Sequence, residues 1–322
     1  MANGRECRTR QAQYHGAVFS YRHSFHAGNH GDVLKHVCLI ATLRYLMRKP
    51  APMLLVDTHA GAGRYRLDGN QSVKSGEAQT GVLQLRGGLR GGAGAHDPAL
   101  RDYLTLLQEF NAGSDGPWRV YPGSPAIMHA LMTEPARAAV ADRLHLFEWH
   151  PTVQRLLAEQ VAAWPQARQV TVHAADGFAG LKGQLPPPPA ASGPRRAFVL
   201  LDPSYEMKTD YEDVPRAVAG ALARCATGVY MIWYPIVAQP GARQLPQRLK
   251  KRAGAAGRDW LHATLDVGQS AAGAARGMAA SGVFVINPPF TLADSLRASL
   301  PLMTRILSRG TGARWQVEQQ IT

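Results

Sequence analysis

The chain has 322 residues and carries 36 lysine and arginine residues against 23 aspartate and glutamate residues, a formal net charge of +13. With 45% hydrophobic residues it can bury a sizeable core, and the basic excess favours a nucleic-acid-binding protein, although a merely solubilising charge stays open. Three cysteines without CxxC spacing argue against a disulfide framework or a zinc finger, and no apolar run is long enough for a membrane span, so we expect a cytoplasmic protein.

The N-terminal region starts with residues 1–17, which are polar and basic without periodicity, and we expect a disordered or non-native arm there. We expect residues 18–64 to form an N-terminal segment that holds a helix and the first strand. The helix is predicted over 29–48, because apolar residues recur there with helical spacing and Asn29 or Asp32 can cap its start.

Short apolar runs that end at polar residues alternate with helical stretches through most of the chain. This alternation predicts an α/β protein with a Rossmann-like, mostly parallel, doubly wound sheet. Two later runs, 261–266 and 282–286, have no long helix between them and predict a terminal antiparallel hairpin. The parallel strands are expected at 52–56, 144–147, 169–174, 197–201 and 228–233, with helices at 151–163 and 213–223 among them.

The stretch from 65 to 121 interrupts this alternation. It contains a helical pattern at 98–110 and a glycine-rich loop at 87–94. We therefore expect residues 65–121 to form an inserted helical subdomain, with residues 122–322 as the remainder of the main domain.

The first motif that carries chemistry is the turn after the first strand, Asp57-Thr58-His59-Ala60-Gly61-Ala62-Gly63. Gly61 and Gly63 at a strand-to-helix turn let a ligand approach the backbone closely, although a tight turn alone would explain them as well. The third glycine of a nicotinamide-binding GxGxxG is missing, and the GK[ST] of a P-loop is absent from the sequence.

Acidic residues follow the next two predicted strands. Glu148 ends the second strand, where a carboxylate can accept hydrogen bonds from ribose hydroxyls. Asp176-Gly177 follows the third strand, where an adenine could be contacted. One glycine-rich turn and two acidic strand ends in this order predict a methyltransferase that binds S-adenosylmethionine.

The predicted reaction centre is Asp202-Pro203-Ser204-Tyr205 at the end of the fourth strand, close to the signature [D/N/S]-P-P-[Y/F] of enzymes that methylate ring-conjugated amines. The Asp202 carboxylate and the Pro203 carbonyl would hold both N–H groups of an adenine N6 amine and aim its lone pair at the methyl group. Asp202 needs no unusual pKa for this role. Tyr205 would stack on a base swung out of its helix, whereas an exposed tyrosine on a plain strand-end turn is the alternative.

A rival motif, Asn287-Pro288-Pro289-Phe290, fits the signature better by letters alone. The strand before it is the second arm of the predicted hairpin and should run antiparallel. Its carboxyl end would then lie at the edge of the sheet opposite the ligand site, which favours Asp202 over Asn287.

The segment Tyr21-Arg22-His23 lies in a stretch that is basic, aromatic and rich in histidine. This mixture suits base stacking and phosphate contact, and a solvated polar segment is the alternative. Nearby histidines could suggest a metal, but no array of cysteines or carboxylates completes a site, so we expect no metal. Tyr21, Arg22 and His23 are the predicted RNA contacts.

Several longer motifs together resemble the family of bacterial 23S ribosomal RNA adenine-N6 methyltransferases. The resemblance rests on YRHSFHAGNHGDVLKH, DTHAGAGRY, YPGSP, DPSYEMKTDY, WYP and the closing INPPF, in that order from about Phe19 to beyond Phe290. It implies a Rossmann-like methyltransferase fold with an inserted helical subdomain, S-adenosylmethionine as cofactor, and 23S ribosomal RNA, free or in an early large-subunit particle, as partner. It also implies cofactor contacts by Lys35, His36, His59, Ser124, Glu148, Asp176 and Gly177, a catalytic Asp202, and Tyr21 beside the target base.

This chain departs from the family pattern at Ser204, which replaces the second proline, and in the arm at 1–17, to which we assign no role. We expect activity to be retained and the protein to be a monomer. Two other functions stay open at this point. One is a DNA adenine-N6 or guanine-N2 methyltransferase, and the other is a non-catalytic RNA-binding protein of ribosome assembly.

Overall fold

The computed structural model describes residues 23–90, 97–112, 116–189, 194–269 and 278–321. The predicted arm at 1–17 lies outside the described residues, as do Tyr21 and Arg22. In chain order the strands are β1 (Leu54–Asp57), β2 (Arg64–Arg66), β3 (Val120–Pro122), β4 (Arg143–Phe147), β5 (Val170–His173), β6 (Ala197–Leu201), β7 (Val229–Ile236), β8 (Trp260–Asp266), β9 (Ala280–Ile286) and β10 (Arg314–Gln320).

Helices connect these strands. In chain order they are α1 (His30–Met47), α2 (Asn70–Ser75), α3 (Val82–Leu89), α4 (Pro98–Phe110), α5 (Ser124–Met132), α6 (Pro151–Ala162), α7 (Gly177–Gln184), α8 (Asp210–Arg224), α9 (Pro240–Ala255) and α10 (Leu292–Leu307). Gly87 and Gly88, predicted to belong to a loop, lie in the last turn of α3, and part of that predicted loop falls outside the described residues.

The main sheet has eight strands in the order β10-β8-β9-β7-β6-β1-β4-β5. The five strands from β7 to β5 run parallel to one another, and β9 pairs antiparallel with both β7 and β8. The predicted α/β class and the antiparallel hairpin are confirmed. However, the hairpin is not terminal, because α10 and a further edge strand, β10, follow it.

Hydrophobic layers cover both faces of the sheet because alternate strand residues point to opposite sides. In β6, Phe198 and Leu200 pack into the layer that holds α1, α4 and α10, whereas Val199 and Leu201 pack into the layer that holds α8 and α9. Burial on both faces explains why the central strands β1 and β6 are nearly continuous apolar runs.

Helix α1 is more deeply buried than its sequence predicts. Apolar spacing predicts one buried face, but nearly every residue from His30 to Leu43 is buried, because α4 and α10 cover the side that faces away from the sheet. Asn29 is the capping residue, since its Oδ1 accepts the backbone N–H of Asp32 at 2.9 Å. Asp32 itself faces inward and is 3% exposed.

The stretch predicted as a helical subdomain contains α2, α3 and α4, and it also supplies most of a two-stranded antiparallel ribbon made of β2 and β3. Its buried Tyr103 belongs to the same apolar cluster as α1, and Asp97 accepts the hydroxyl of Ser299 at 2.9 Å, which ties α4 to α10. The stretch thus shares its core with the main domain.

Within the described part of the chain, no helix has the length and apolar character needed to cross a membrane.

Candidate active site

A cavity of about 590 Å³ opens at the carboxyl edge of the parallel strands. Its volume falls in the range typical of small-molecule sites. The glycine-rich turn, both acidic strand ends and the end of β6 all contribute to its wall, because the carboxyl ends of parallel strands meet at one edge of a sheet. The predicted residues that line it are His23, Lys35, His59, Gly61, Ser124, Glu148, Asp176, Gly177, Asp202 and Pro203.

The glycine-rich turn fits closely against its neighbours. Gly61 has a φ of +63° and donates its N–H to Oε2 of Glu148 at 3.0 Å, and a Cβ there would overlap the hydroxyl of Tyr65. Gly63, with a φ of +81°, does not line the cavity; its carbonyl accepts the N–H of Gly123 at 2.7 Å. Both positions require the left-handed conformation that glycine adopts at no steric cost.

The two acidic strand ends are oriented by backbone donors. Glu148 accepts the N–H of His150 at 2.7 Å through its second oxygen, and burial raises its pKa while these backbone donors oppose the rise. Asp176 caps α7 by accepting the N–H groups of Phe178 and Ala179 at 2.8 and 3.2 Å. Its neighbour Gly177 lies so close to the carbonyl of Thr58 that a Cβ would overlap it. The turn and the start of α7 are therefore held as one unit.

Ser124 and His59 line the cavity, whereas His36 does not. Ser124 donates its hydroxyl to Asp57 at 2.6 Å, and burial raises the pKa of Asp57 to about 6. His59 lines the cavity and packs edge-on against Phe178. His36 is fully buried outside the cavity wall with Nδ1 2.8 Å from the hydroxyl of Tyr121, and its Nε2 has no hydrogen-bond partner among the described residues.

Asp202 is part of a buried charge network. The ammonium of Lys35 donates to Oδ2 of Asp202 at 2.6 Å and lies 2.8 Å from Oδ1 of Asp32. Lys35 is 5% exposed, and its two carboxylate partners raise its pKa despite burial. Burial raises the pKa of Asp202, and Lys35 opposes that rise. The pKa of Asp202 thus lies above its ordinary value, although the predicted role of orienting an amine does not require such a shift.

Asp32 is a site residue that the sequence analysis missed, because it was considered only as a helix cap. Its Oδ2 lies 3.1 Å from Nε2 of His23 and accepts the backbone N–H of Gly28 at 2.9 Å. The i,i+3 spacing of Asp32 and Lys35 at the start of a mostly apolar helix is the signal that could have identified the pair. His23, the one predicted RNA contact within the described residues, thus lines the cavity and joins this network.

Tyr205 does not lie where the sequence analysis expects it. The residue adopts a φ of +55°, is 5% exposed, and donates its hydroxyl to the carbonyl of Trp233 at 2.8 Å. Its ring packs 4.7 Å from that of Tyr211 and is not part of the cavity wall. This placement argues against the predicted stacking on a base, because no face of the ring is open to the cavity. Ser204, in contrast, is exposed and lines the cavity.

Asn287 lies at the opposite edge of the sheet, as the hairpin prediction requires. β9 pairs antiparallel with β7 so that Ile286 stands opposite Tyr230, at the amino end of the parallel strands. The side-chain amide of Asn287 donates to the carbonyls of Ala226 and Gly228 at 2.9 and 2.7 Å. These two hydrogen bonds tie the end of β9 to the segment before β7.

Among the described residues, no group of three or more histidine, cysteine or acidic side chains is arranged to hold a metal ion.

The sheet order, the glycine-rich turn and the acidic strand ends around one cavity define a Rossmann-like methyltransferase. A family model described as Ribosomal RNA large subunit methyltransferase D, RlmJ, matches residues 50–320. The chain belongs to this family, which confirms the resemblance seen in its motifs. It is an RNA methyltransferase, and its family and fold imply the use of S-adenosylmethionine.

Individual relatives agree with this assignment. Ribosomal RNA large subunit methyltransferase J of Escherichia coli strain K12 is 40% identical over 300 residues, which cover 92% of this chain and 96% of the relative. The protein of the same name from Haemophilus influenzae is 39% identical over 303 residues, covering 94% and 98%. A crystal structure of a Legionella pneumophila protein superposes with a TM-score of 0.76 at 27% identity and covers 91% of this chain and 98% of that one.

Proposed function

We propose that this protein methylates the exocyclic N6 amine of an adenine in 23S ribosomal RNA, with S-adenosylmethionine as the methyl donor. One observation carries the proposal. The Asp202 carboxylate, at the end of the fourth parallel strand, lines the same cavity as Gly61, Glu148 and Asp176. A carboxylate placed beside a cofactor turn in this way suits an acceptor substrate that carries N–H groups rather than a bare oxygen or carbon nucleophile.

The residues present fit S-adenosylmethionine. Glu148 and Asp176 offer carboxylate oxygens at two neighbouring strand ends, which suit ribose hydroxyls and an adenine amine. The positive end of α5, which begins at Ser124, suits the carboxylate of the cofactor. When bound, the sulfonium supplies an electrophilic methyl group.

The Asp202 carboxylate is positioned to accept hydrogen bonds from an amine in the cavity. Lys35 donates to Oδ2 of Asp202, and Asp202 lines the cavity. Oδ1 and the carbonyl of Pro203 can each accept one N–H of the adenine amine, which directs the nitrogen lone pair away from the ring plane. Lys35 favours the ionised form of the carboxylate and opposes the rise in its pKa that burial causes.

Asp202 can also receive the proton that the reaction releases. The neutral amine is a very weak acid, but the nitrogen becomes cationic and strongly acidic once the new N–C bond has formed. A carboxylate that already accepts the N–H can take that proton without rearrangement, and its raised pKa makes it a better acceptor than an ordinary aspartate. Asp202 therefore orients the amine first and accepts the proton late.

The test is methyl transfer by Asp202→Ala and the isosteric Asp202→Asn to deproteinised 23S RNA, assembled large subunits and duplex DNA, with mass mapping of the product. We expect the wild type to form N6-methyladenosine in RNA and both variants to lose turnover while still binding S-adenosylmethionine and RNA. Thermal melts of the variants exclude unfolding. Methyl transfer only to DNA, a product other than N6-methyladenosine, or turnover by Asp202→Ala at the wild-type rate would overturn the proposal.

A further inference from the structure

The mouth of the cavity has a basic side that the proposed chemistry does not use. Among the residues that line the cavity, the solvent-exposed ones mark its opening: Arg64, Arg66, Thr152, Leu156, Ser204 and Glu206. The two arginines come from strand β2, directly after the glycine-rich turn, and the acidic Glu206 lies in the loop that follows β6. A polyanion that enters this cavity would therefore meet its positive side at β2.

Strand geometry places both arginines on one face of the ribbon. Side chains two residues apart on a strand point the same way, so Arg64 and Arg66 face outward while Tyr65 between them is buried. Their backbones are roughly 7 Å apart along the strand. That separation is comparable to the spacing of neighbouring phosphates on an extended nucleic-acid strand.

The guanidinium of Arg64 is held in place without being neutralised. Its Cζ lies 5.0 Å from the centroid of the Phe110 ring. Among the described residues, no carboxylate forms an ion pair with Arg64. A planar cation that is oriented by an aromatic ring keeps its N–H groups available for an anion, and phosphate matches the fork geometry of guanidinium.

Arg66 is oriented by a different device. Its Nε and Nη2 donate to the two carboxylate oxygens of Asp68, each at 2.9 Å, although Arg66 itself is 76% exposed. A bidentate pair of this kind fixes the plane of the guanidinium and leaves Nη1 directed away from Asp68. Because the Arg66–Asp68 pair is exposed, it adds little to stability. Its main effect is to orient the guanidinium of Arg66.

We infer that Arg64 and Arg66 form a phosphate clamp that grips two consecutive phosphates of a single-stranded or splayed RNA segment beside the target nucleotide. This inference rests on the proposed function, because a base must leave its stack to reach Asp202, and its flanking phosphates then need new partners at the mouth. The clamp carries no sequence information. It positions the strand so that the base enters the cavity.

The test measures RNA affinity as a function of salt for Arg64→Gln and Arg66→Gln, using deproteinised 23S RNA that lacks the modification. Arg224→Gln is the matched control, because Arg224 is equally an exposed arginine but ends α8 at the opposite edge of the sheet. Each clamp variant should weaken RNA binding about three- to tenfold and reduce the slope of log K against log salt by about one, and the control should change neither. S-adenosylmethionine affinity should stay within about twofold of wild type.

Two further measurements keep the outcomes distinct. Arg64→Lys keeps the charge and loses the fork, so we expect a wild-type salt slope with a raised KM for RNA and an unchanged KM for the cofactor. Salt slopes equal to those of Arg224→Gln, or a loss of cofactor affinity with intact RNA binding, would overturn the clamp. The clamp is tested by RNA binding, which is measured without turnover. A product other than N6-methyladenosine would therefore overturn the proposed function, whereas the salt slopes alone decide whether the clamp exists.

Discussion

The ion pair between Lys35 and Asp202 predicts how activity depends on pH. In the proposed mechanism activity requires the ionised carboxylate, so it should fall as pH drops through the pKa of Asp202, which burial raises above its ordinary value. Lys35→Met removes the influence that lowers this pKa, so the acid limb of the kcat/KM profile should move to higher pH. Asp32→Asn removes a neighbouring negative charge that raises the same pKa, so its acid limb should move to lower pH.

The stability effect of Lys35→Met follows from burial. Asp32 is 3% exposed and the Asp202 side chain 12%, so loss of the shared ammonium leaves two nearby carboxylates without the cation that joins them. Breaking a buried pair in this way costs about 3–5 kcal/mol, a large part of the stability of an ordinary domain. Protonation of one carboxylate relieves this cost, so the variant should become more stable as pH falls through the raised pKa.

The assay is a kcat/KM profile on deproteinised 23S RNA from about pH 5 to 9, with thermal melts at each pH. Lys182→Met is the matched control, because Lys182 is exposed on α7. The double variant Asp32→Asn/Lys35→Met, which removes one of the two stranded carboxylates, should recover part of the lost stability. The assigned role of Lys35 would be refuted if the acid limb of Lys35→Met coincided with that of the wild type. It would also be refuted if the acid limbs of Lys35→Met and Asp32→Asn moved in the same direction.

One further substitution tests the packing at the glycine-rich turn, and another tests the rival motif at the opposite edge of the sheet. Gly177→Ala should lower the free energy of unfolding by about 1–3 kcal/mol and weaken S-adenosylmethionine binding about tenfold or more, because its Cβ overlaps the carbonyl of Thr58. The control is Gly183→Ala in the same helix, where no atom lies within 4 Å of the new Cβ. Calorimetric titration should show normal cofactor binding for this control and weakened binding for Gly177→Ala. Asn287→Ala loses two hydrogen bonds to backbone carbonyls at a φ of +54° and should cost about 2–4 kcal/mol. Its kcat should match wild type, and a selective loss of kcat without a fall in melting temperature would return Asn287 to the reaction centre.

The position of the site could be predicted because it depends on strand polarity alone. Asp57, Glu148, Asp176 and Asp202 each follow a separate apolar run, and parallel strands bring their carboxyl ends to one edge whatever the packing details. The same argument excluded Asn287, because an antiparallel strand reverses the edge. The order of the apolar runs, and the polar residue that follows each run, therefore sufficed to place the site and to exclude Asn287.

Side-chain placement within the site could not be predicted. Tyr205 turns into the core because the loop after β6 takes a left-handed conformation there, which four letters of a signature do not reveal. Lys35 meets Asp202 across 167 positions of sequence. No local pattern in the chain records that contact.

The sequence by itself determined the α/β class, the family and the edge of the sheet where the cavity opens, because each depends on local periodicity and on short contiguous motifs. Only the tertiary structure decided that Asp202 shares an ammonium with Asp32, that Tyr205 is a core residue, and that Arg64 lies free of a carboxylate partner within the described residues at the cavity mouth. These features depend on which distant surfaces pack together and exclude water. Burial, and with it the pKa and the availability of each charged group, is a property of that packing.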